Sequence, residues 1–276
     1  MAVFPGPETP TPALVYPAAG LDGAAGSDLV VVALHGGPIA RWSAEYTAEF
    51  QLFAQLGLPV VALNYPGSTG SGQDHMRSLF GRAGSIDVEA VAAVVDALQG
   101  HEGRRVILYG ESYGAFLALA TAAVRPCAGV IAFAPFASFE SLRRTGSDEI
   151  RDLLQLLDEG NPNDFGRNLL EAQRTNRGKV LIVHGTADRT IPAAESRELA
   201  RAWRERDGAG EEDEVHLVEL HGHGHRLVGR GVLEHWFREV AAFVATVQSV
   251  EIACTTRSQQ QGRCAGGLEN TNPGRR

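Results

Sequence analysis

The sequence predicts an α/β fold built on a doubly wound, mostly parallel sheet. Short apolar, β-branched runs recur along the chain, helical patterns separate them, and the runs are nearly continuous in hydrophobicity. A strand covered by helices on both faces has no solvent side to alternate toward, so it reads as an unbroken apolar stretch.

Residues 1–28 are rich in Pro, Gly and Ala and read as an irregular arm, with an edge strand at Leu14–Tyr16. The rhythm starts at Leu29–His35, followed by helical spacing over Ala44–Leu56 and a strand at Val60–Tyr65. A helix at Val88–Leu98, a strand at Val106–Tyr109, a helix at Tyr113–Val124 and a strand at Val130–Ala134 come next. Residues 136–179 break the alternation with two polar-rich helical stretches, Asp148–Leu157 and Asp164–Arg174, and form the expected small helical lid. The rhythm resumes with Val180–His184, a helix at Ala193–Arg206, a more alternating strand at Val215–Leu220 and a closing helix at Leu233–Val247. One folded domain is therefore expected over 29–248. Residues 249–276 offer little to bury and read as a disordered tail.

Composition narrows the function classes. The 276 residues, 44% hydrophobic and 21% charged, can bury one large core. A net charge of −8 disfavours a nucleic-acid partner, because phosphate binding relies on clustered Lys and Arg. The N-terminus has no basic region followed by an apolar one, and no run is long enough to cross a bilayer. The expectation is a cytoplasmic protein with no membrane partner. Three cysteines, with Cys254 and Cys264 in the polar tail, make a disulfide framework improbable, and Cys127 reads as packing.

Gly110-Glu111-Ser112-Tyr113-Gly114 matches G-x-S-x-G between a strand and a helix, the context in which this pattern places a serine on a sharp turn of the α/β-hydrolase fold. A serine hydroxyl is a poor nucleophile until a base takes its proton, and the base needs an acid to orient it. In that fold the order is Ser, acid, His, each at the end of a later strand. Asp188 follows Val180–His184 and is the expected acid; the alternative for it is a turn former ahead of Pro192. The base is expected in His221-Gly222-His223-Gly224-His225, after Val215–Leu220. Three alternate histidines could also suggest a metal site, but the loop supplies no carboxylate or cysteine, so neither metal nor other cofactor is expected. Oxyanion donors are expected from the backbone N–H of Tyr113 and of Gly37, in the loop His35-Gly36-Gly37-Pro38.

In four successive blocks the chain resembles the catalytic domain of the prolyl oligopeptidase family, particularly its acylaminoacyl-peptidase-like branch. The blocks are His35-Gly36-Gly37-Pro38, Asn64-Tyr65-Pro66-Gly67-Ser68-Thr69-Gly70, Gly110-Glu111-Ser112-Tyr113-Gly114 and His184-Gly185-Thr186-Ala187-Asp188, within a match spanning about 29–247. The resemblance implies Ser112 as nucleophile, Asp188 as acid, and Gly37 and Tyr113 as oxyanion donors. It also places the base in a Gly-His pair, for which Gly222-His223 and Gly224-His225 both qualify. Reading on from His225 to the closing-helix block Trp236–Phe243 keeps the family's register without a gap, so the resemblance favours His225. Members of the family carry an N-terminal β-propeller, for which this chain is expected to have no room. Pro66 stands where an Arg is usual and Ser71 where a Tyr is usual. The expected function is cleavage of an amide or peptide bond in a small acyl or peptidyl substrate through an acyl-enzyme. Carboxylesterase, thioesterase or acyltransferase chemistry is the alternative, and a non-catalytic binding protein the third reading.

Overall fold

A computed structural model describes residues 1–19, 27–158, 168–172, 178–206 and 215–264. Eight strands form one sheet: β1 (Ala2–Phe4), β2 (Thr11–Tyr16), β3 (Leu29–Leu34), β4 (Val60–Leu63), β5 (Arg105–Glu111), β6 (Gly129–Phe133), β7 (Lys179–Gly185) and β8 (Val215–Leu220). Their spatial order is β1-β2-β4-β3-β5-β6-β7-β8. From β4 to β8 all neighbours are parallel, while β2 and β1 add to the β4 edge antiparallel.

The helices are α1 (Ala48–Gln55), α2 (Gln73–Arg77), α3 (Ile86–Glu102), α4 (Tyr113–Val124), α5 (Phe139–Thr145), α6 (Asp148–Leu157), α7 (Ala194–Arg206) and α8 (Arg230–Cys264). Alternate residues of each parallel strand point to opposite faces, and both faces are covered. Val30, Val32, Leu34, Val106 and Leu108 pack with α3, α4 and α7. Val31, Ala33, Ile107, Tyr109 and Ile131 pack with α1 and α8, where Phe53 and Trp236 fill the centre. Every strand residue from Leu29 to Leu34 is buried, which explains the unbroken apolar run. Residues 113–123 of α4 are also all buried, as a helix apolar on every side requires.

In the expected irregular arm the edge strand at Leu14–Tyr16 is present but starts earlier, at Thr11, and Ala2–Phe4 is a further strand that corrects the reading. Ala2–Phe4 pairs with Thr11–Ala13, and Ala13–Tyr16 pairs with β4, so much of the arm is sheet. A strand of three residues ending before Pro5 is too short for a period-two signal to emerge, and Pro10 and Pro12 blur the start of the second. The closing helix also runs beyond its expected end at Val247, to Cys264. Beyond Val247 neither proline nor glycine interrupts it before Gly262, so helix propensity carries the backbone on through a stretch that reads as disordered tail. Residues 265–276 lie outside the described ones. No helix among the described residues is long and apolar enough to cross a membrane.

In the segment expected as a lid, α6 has the bounds anticipated, while the second stretch, Asp164–Arg174, lies largely outside the described residues. The described part is built into the body. Phe136, Phe139, Leu142, Leu154, Leu157 and Leu169 belong to the same core as α3 and α4. Ser138 and Ser141 form a capping box at the start of α5, and the Glu195 carboxylate accepts from Ala137 N–H, Ser141 Oγ and Thr145 Oγ1 at 3.0, 2.7 and 2.8 Å. Leu157→Ala is therefore expected to lower stability by about 2–5 kcal/mol, read by urea unfolding. A loss within about 0.5 kcal/mol, typical of surface sites, would identify α6 as a loosely held flap.

Candidate active site

Ser112 sits between β5 and α4 with φ 54° and ψ −118°. A non-glycine residue in this region carries about 1–3 kcal/mol of strain and persists only where its surroundings over-determine it. Those surroundings are visible. The Ser112 N–H donates to Phe133 O at 2.8 Å, and its carbonyl accepts from Ala115 and Phe116 at 3.0 and 3.1 Å. A Cβ on Gly110 would lie 2.1 Å from Gly114 O, and one on Gly114 would lie 2.2 Å from Leu34 O. Both glycines of the pattern are thus demanded by backbone approach.

Two later strands bring their loops to the same sheet edge. His225 Nε2 lies 3.0 Å from Ser112 Oγ, and His225 Nδ1 lies 2.7 Å from Asp188 Oδ2. With Nδ1–H donating to the carboxylate, Nε2 is left to accept the serine proton. Asp188 Oδ1 accepts from the N–H groups of Thr190 and Ile191 at 2.8 and 2.9 Å. Its Oδ2 also faces His184 Nε2 at 3.3 Å. Burial pushes the carboxyl pKa up, but the hydrogen bonds from His184, His225 and the Ile191 N–H outweigh it and hold Asp188 well below the ordinary carboxylate range.

His184 received no role from the sequence. Its ring is fully buried, with Nδ1 2.6 Å from Ser196 Oγ and Nε2 2.9 Å from Ile191 O, which ties the Asp188 turn to α7. The histidine loop is tied to the same turn. Ala187 N–H donates to His223 O at 2.8 Å, Gly222 N–H donates to Thr186 Oγ1 at 2.9 Å, and a Cβ on Gly185 would stand 2.4 Å from His223 O. His221 is exposed. Of the three histidines, His225 is the one whose ring bonds both Ser112 and Asp188.

Asp188→Asn is expected to reduce kcat by about 10³- to 10⁴-fold without unfolding the protein, because the amide favours the wrong tautomer of the base. Steady-state kinetics beside a thermal melt checks it, and a rate near wild type would assign the acid elsewhere.

On the side where the sequence places the oxyanion donors, Gly36 lies against Ser112: a Cβ there would lie 3.2 Å from Glu111 O and 3.4 Å from Ser112 Cβ. Gly37 follows with φ 124°, a conformation that favours glycine. The loop is clasped by His35, whose Nε2 is 2.7 Å from Ser68 Oγ and whose Nδ1 is 2.7 Å from Gly36 O. Burial lowers the His35 pKa to about 4, so the ring is neutral. Tyr113 is the first residue of α4, and its N–H therefore lies beyond the helix's own hydrogen-bond ladder. Among the described residues no group of three or more His, Cys, Asp or Glu could hold a metal ion.

Glu111, the variable residue before the serine, also went unassigned in sequence. Tyr109 OH hydrogen-bonds to it, and burial raises its pKa from 4.5 to about 7, against the Tyr109 bond and aided by Glu49, with His225 and Arg226 opposing. Strand alternation carries the signal, since Glu111 shares a face of β5 with Ile107 and Tyr109, both buried in the core. Between pH 4.5 and 7 the native state keeps a proton that the unfolded chain has released, so this group makes stability fall as pH rises through that window. Glu111→Gln is expected to flatten the fall, by at most about 1.4 kcal/mol per pH unit, in urea unfolding across pH 4.5–8. Parallel profiles for wild type and variant would show that Glu111 shares no such proton.

The chain matches known proteins along the same lines. It is 31% identical over 196 residues to the acylamino-acid-releasing enzyme of Mus musculus, covering 64% of this chain and 26% of that protein. The acylamino-acid-releasing enzyme 2 of Oryza sativa subsp. japonica is 26% identical over 196 residues, 64% of this chain and 25% of that protein. This chain therefore spans about a quarter of the length of these relatives. Among solved structures, a puromycin hydrolase superposes with a TM-score of 0.75 at 22% identity, covering 90% of this chain and 39% of that one. The Pyrococcus horikoshii acylaminoacyl peptidase superposes at 0.72 with 16% identity, covering 91% and 41%. These two establish the α/β-hydrolase fold. The prolyl oligopeptidase family model matches residues 44–250, most of the chain, and the protein belongs to that family.

Proposed function

We propose that the protein is a serine peptidase that cleaves an amide or peptide bond in a small acyl or peptidyl substrate through an acyl-enzyme. The observation that carries this is the line of hydrogen bonds from Ser112 Oγ to His225 Nε2 at 3.0 Å and from His225 Nδ1 to Asp188 Oδ2 at 2.7 Å. Ser112 Oγ attacks the carbonyl carbon as its proton passes to His225 Nε2. The ionised Asp188 stabilises the imidazolium, and the N–H groups of Gly37 and Tyr113 receive the negative charge on the carbonyl oxygen. Collapse of that intermediate breaks the C–N bond while His225 protonates the leaving amine. Water, deprotonated by His225, then releases the acyl group and regenerates the hydroxyl.

Membership of a peptidase family and similarity to acylamino-acid-releasing enzymes support an amide substrate over an ester. A substrate that is a small molecule or short peptide, a cytoplasmic setting and the absence of nucleic-acid or membrane partners belong to the same proposal, supported by the net charge of −8 and the odd cysteine count. The test is a parallel assay of N-acyl-aminoacyl p-nitroanilides and matched p-nitrophenyl esters. Turnover of the anilides is expected. Turnover confined to the esters would move the protein to the esterase or acyltransferase reading.

A further inference from the structure

Tyr113 contributes its backbone N–H to the proposed oxyanion hole, but its side chain runs the other way, into the core. The ring is 3% exposed and lies among Tyr65, Phe116, Phe136 and Phe139, with centroids 6.0–6.3 Å away. Its hydroxyl donates to Asp87 Oδ2 at 2.6 Å. Asp87 stands in the first turn of α3 with no exposed surface, and its Oδ1 accepts from Val88 N–H at 2.9 Å. A carboxyl in such a place is expensive, and an apolar residue of similar volume would fill the space with less penalty.

We propose that Asp87 is a positioning residue for the oxyanion hole, holding the Tyr113 phenol so that the N–H of Tyr113 is fixed toward the reacting carbonyl oxygen. The inference rests on Ser112 being the nucleophile. The direction of that N–H is set by two torsions, ψ of Ser112 and φ of Tyr113. The first is strained and held by bonds on either side of Ser112. The second is held by whatever holds the Tyr113 side chain: ring contacts all round and one hydrogen bond at the tip. The tip contact prevents the ring from sliding along its own axis within an apolar sleeve.

The same line of groups reaches the other donor loop. Tyr65 stacks on Tyr113 at 6.3 Å and on His35 at 4.3 Å, and its hydroxyl donates to His35 O at 2.6 Å. Asp87 thus anchors one end of a packed row, Asp87-Tyr113-Tyr65-His35, whose far end carries Gly36 and Gly37. Burial raises the carboxyl to about 6 against the Tyr113 and backbone bonds, so it is chiefly ionised at neutral pH and accepts from the phenol as a charged group.

The experiment compares Asp87→Leu, Asp87→Asn, Tyr113→Phe and the double variant Asp87→Asn/Tyr113→Phe. Two rates are read per active site: anilide turnover, and labelling of Ser112 by a fluorophosphonate, whose P=O oxygen needs the same donors. Asp87→Leu and Tyr113→Phe are expected to lower kcat about 10- to 100-fold with KM within about twofold, below the 10²–10³ loss of a whole donor. Asp87→Asn, which keeps an acceptor, is expected to recover part of the rate, and the double variant to be no slower than Tyr113→Phe alone. Tyr113→Phe removes one oxygen and keeps the packing, so it reports even if Asp87→Leu does not fold. Wild-type rates per labelled site in Tyr113→Phe, or additive losses in the double variant, would overturn the inference and leave Asp87 a folding residue. Absence of Ser112 labelling in the wild-type protein would instead overturn the nucleophile assignment beneath it.

Discussion

Ser112→Ala is expected to reduce amide turnover by on the order of 10⁶-fold and to abolish covalent labelling by a fluorophosphonate. The size follows from what the alanine removes. Without Oγ there is no acyl-enzyme, and His225 and Asp188 have no proton to move, so their contribution goes with it. What survives is the donor pair and whatever binding orients the substrate, which elsewhere leaves a residual of about 10³- to 10⁴-fold over water. The fold is expected to tolerate the change. The Ser112 N–H and carbonyl, bonded to Phe133, Ala115 and Phe116, belong to the backbone and remain. Removing the hydroxyl also leaves the strained φ of 54° in place, so the thermal midpoint is expected to move little. Intact-mass measurement after probe treatment separates the outcomes: equal adduct on wild type and variant would mean that another nucleophile reacts.

Much of this architecture is legible in the sequence because the parallel strands are buried on both faces. Leu29–Leu34 and Val180–Val183 announce themselves as unbroken apolar runs, and α4 begins and ends where its spacing predicts. The candidate site is legible because backbone crowding forces residue types at fixed positions: Gly110 and Gly114 have no room for a Cβ, and Gly185 has none beside the histidine loop. What is illegible depends on partners distant in sequence. Asp87, 26 residues before Tyr113, reads as an acidic residue in a helix's first turn, a place where it is favoured for helix-dipole reasons alone. His184, 12 residues before Ser196, reads as the end of a strand. The strand Ala2–Phe4 exists because the β2 edge is there to pair with, a reason no local pattern contains.

The final expectation concerns the base. His225→Ala is expected to lower turnover by about as much as Ser112→Ala, on the order of 10⁶-fold, whereas His223→Ala and His221→Ala are expected to stay within about tenfold of wild type. The Gly-His pattern fits both Gly222-His223 and Gly224-His225, the register of the closing helix favours the second, and the physical difference lies in what each residue's backbone and ring do. His223 serves through its carbonyl, which accepts from Ala187 N–H, and through its N–H, which donates to Leu220 O at 3.2 Å. Alanine preserves both bonds. His221 is exposed at the end of β8. His225 bridges Asp188 and Ser112 with its two ring nitrogens, and alanine removes both contacts at once. The loss has a second part. In His225→Ala the buried Asp188 carboxylate keeps His184 and two backbone N–H groups but lacks its main outward partner, so the variant is expected to be less stable near neutral pH, where the carboxylate is ionised, as well as inactive. Measuring fluorophosphonate labelling rates for the three variants decides the matter, since only loss of the base leaves Ser112 present but unactivated. A His223→Ala protein that fails to label while His225→Ala labels normally would transfer the role to His223 and require the loop to rearrange on binding substrate.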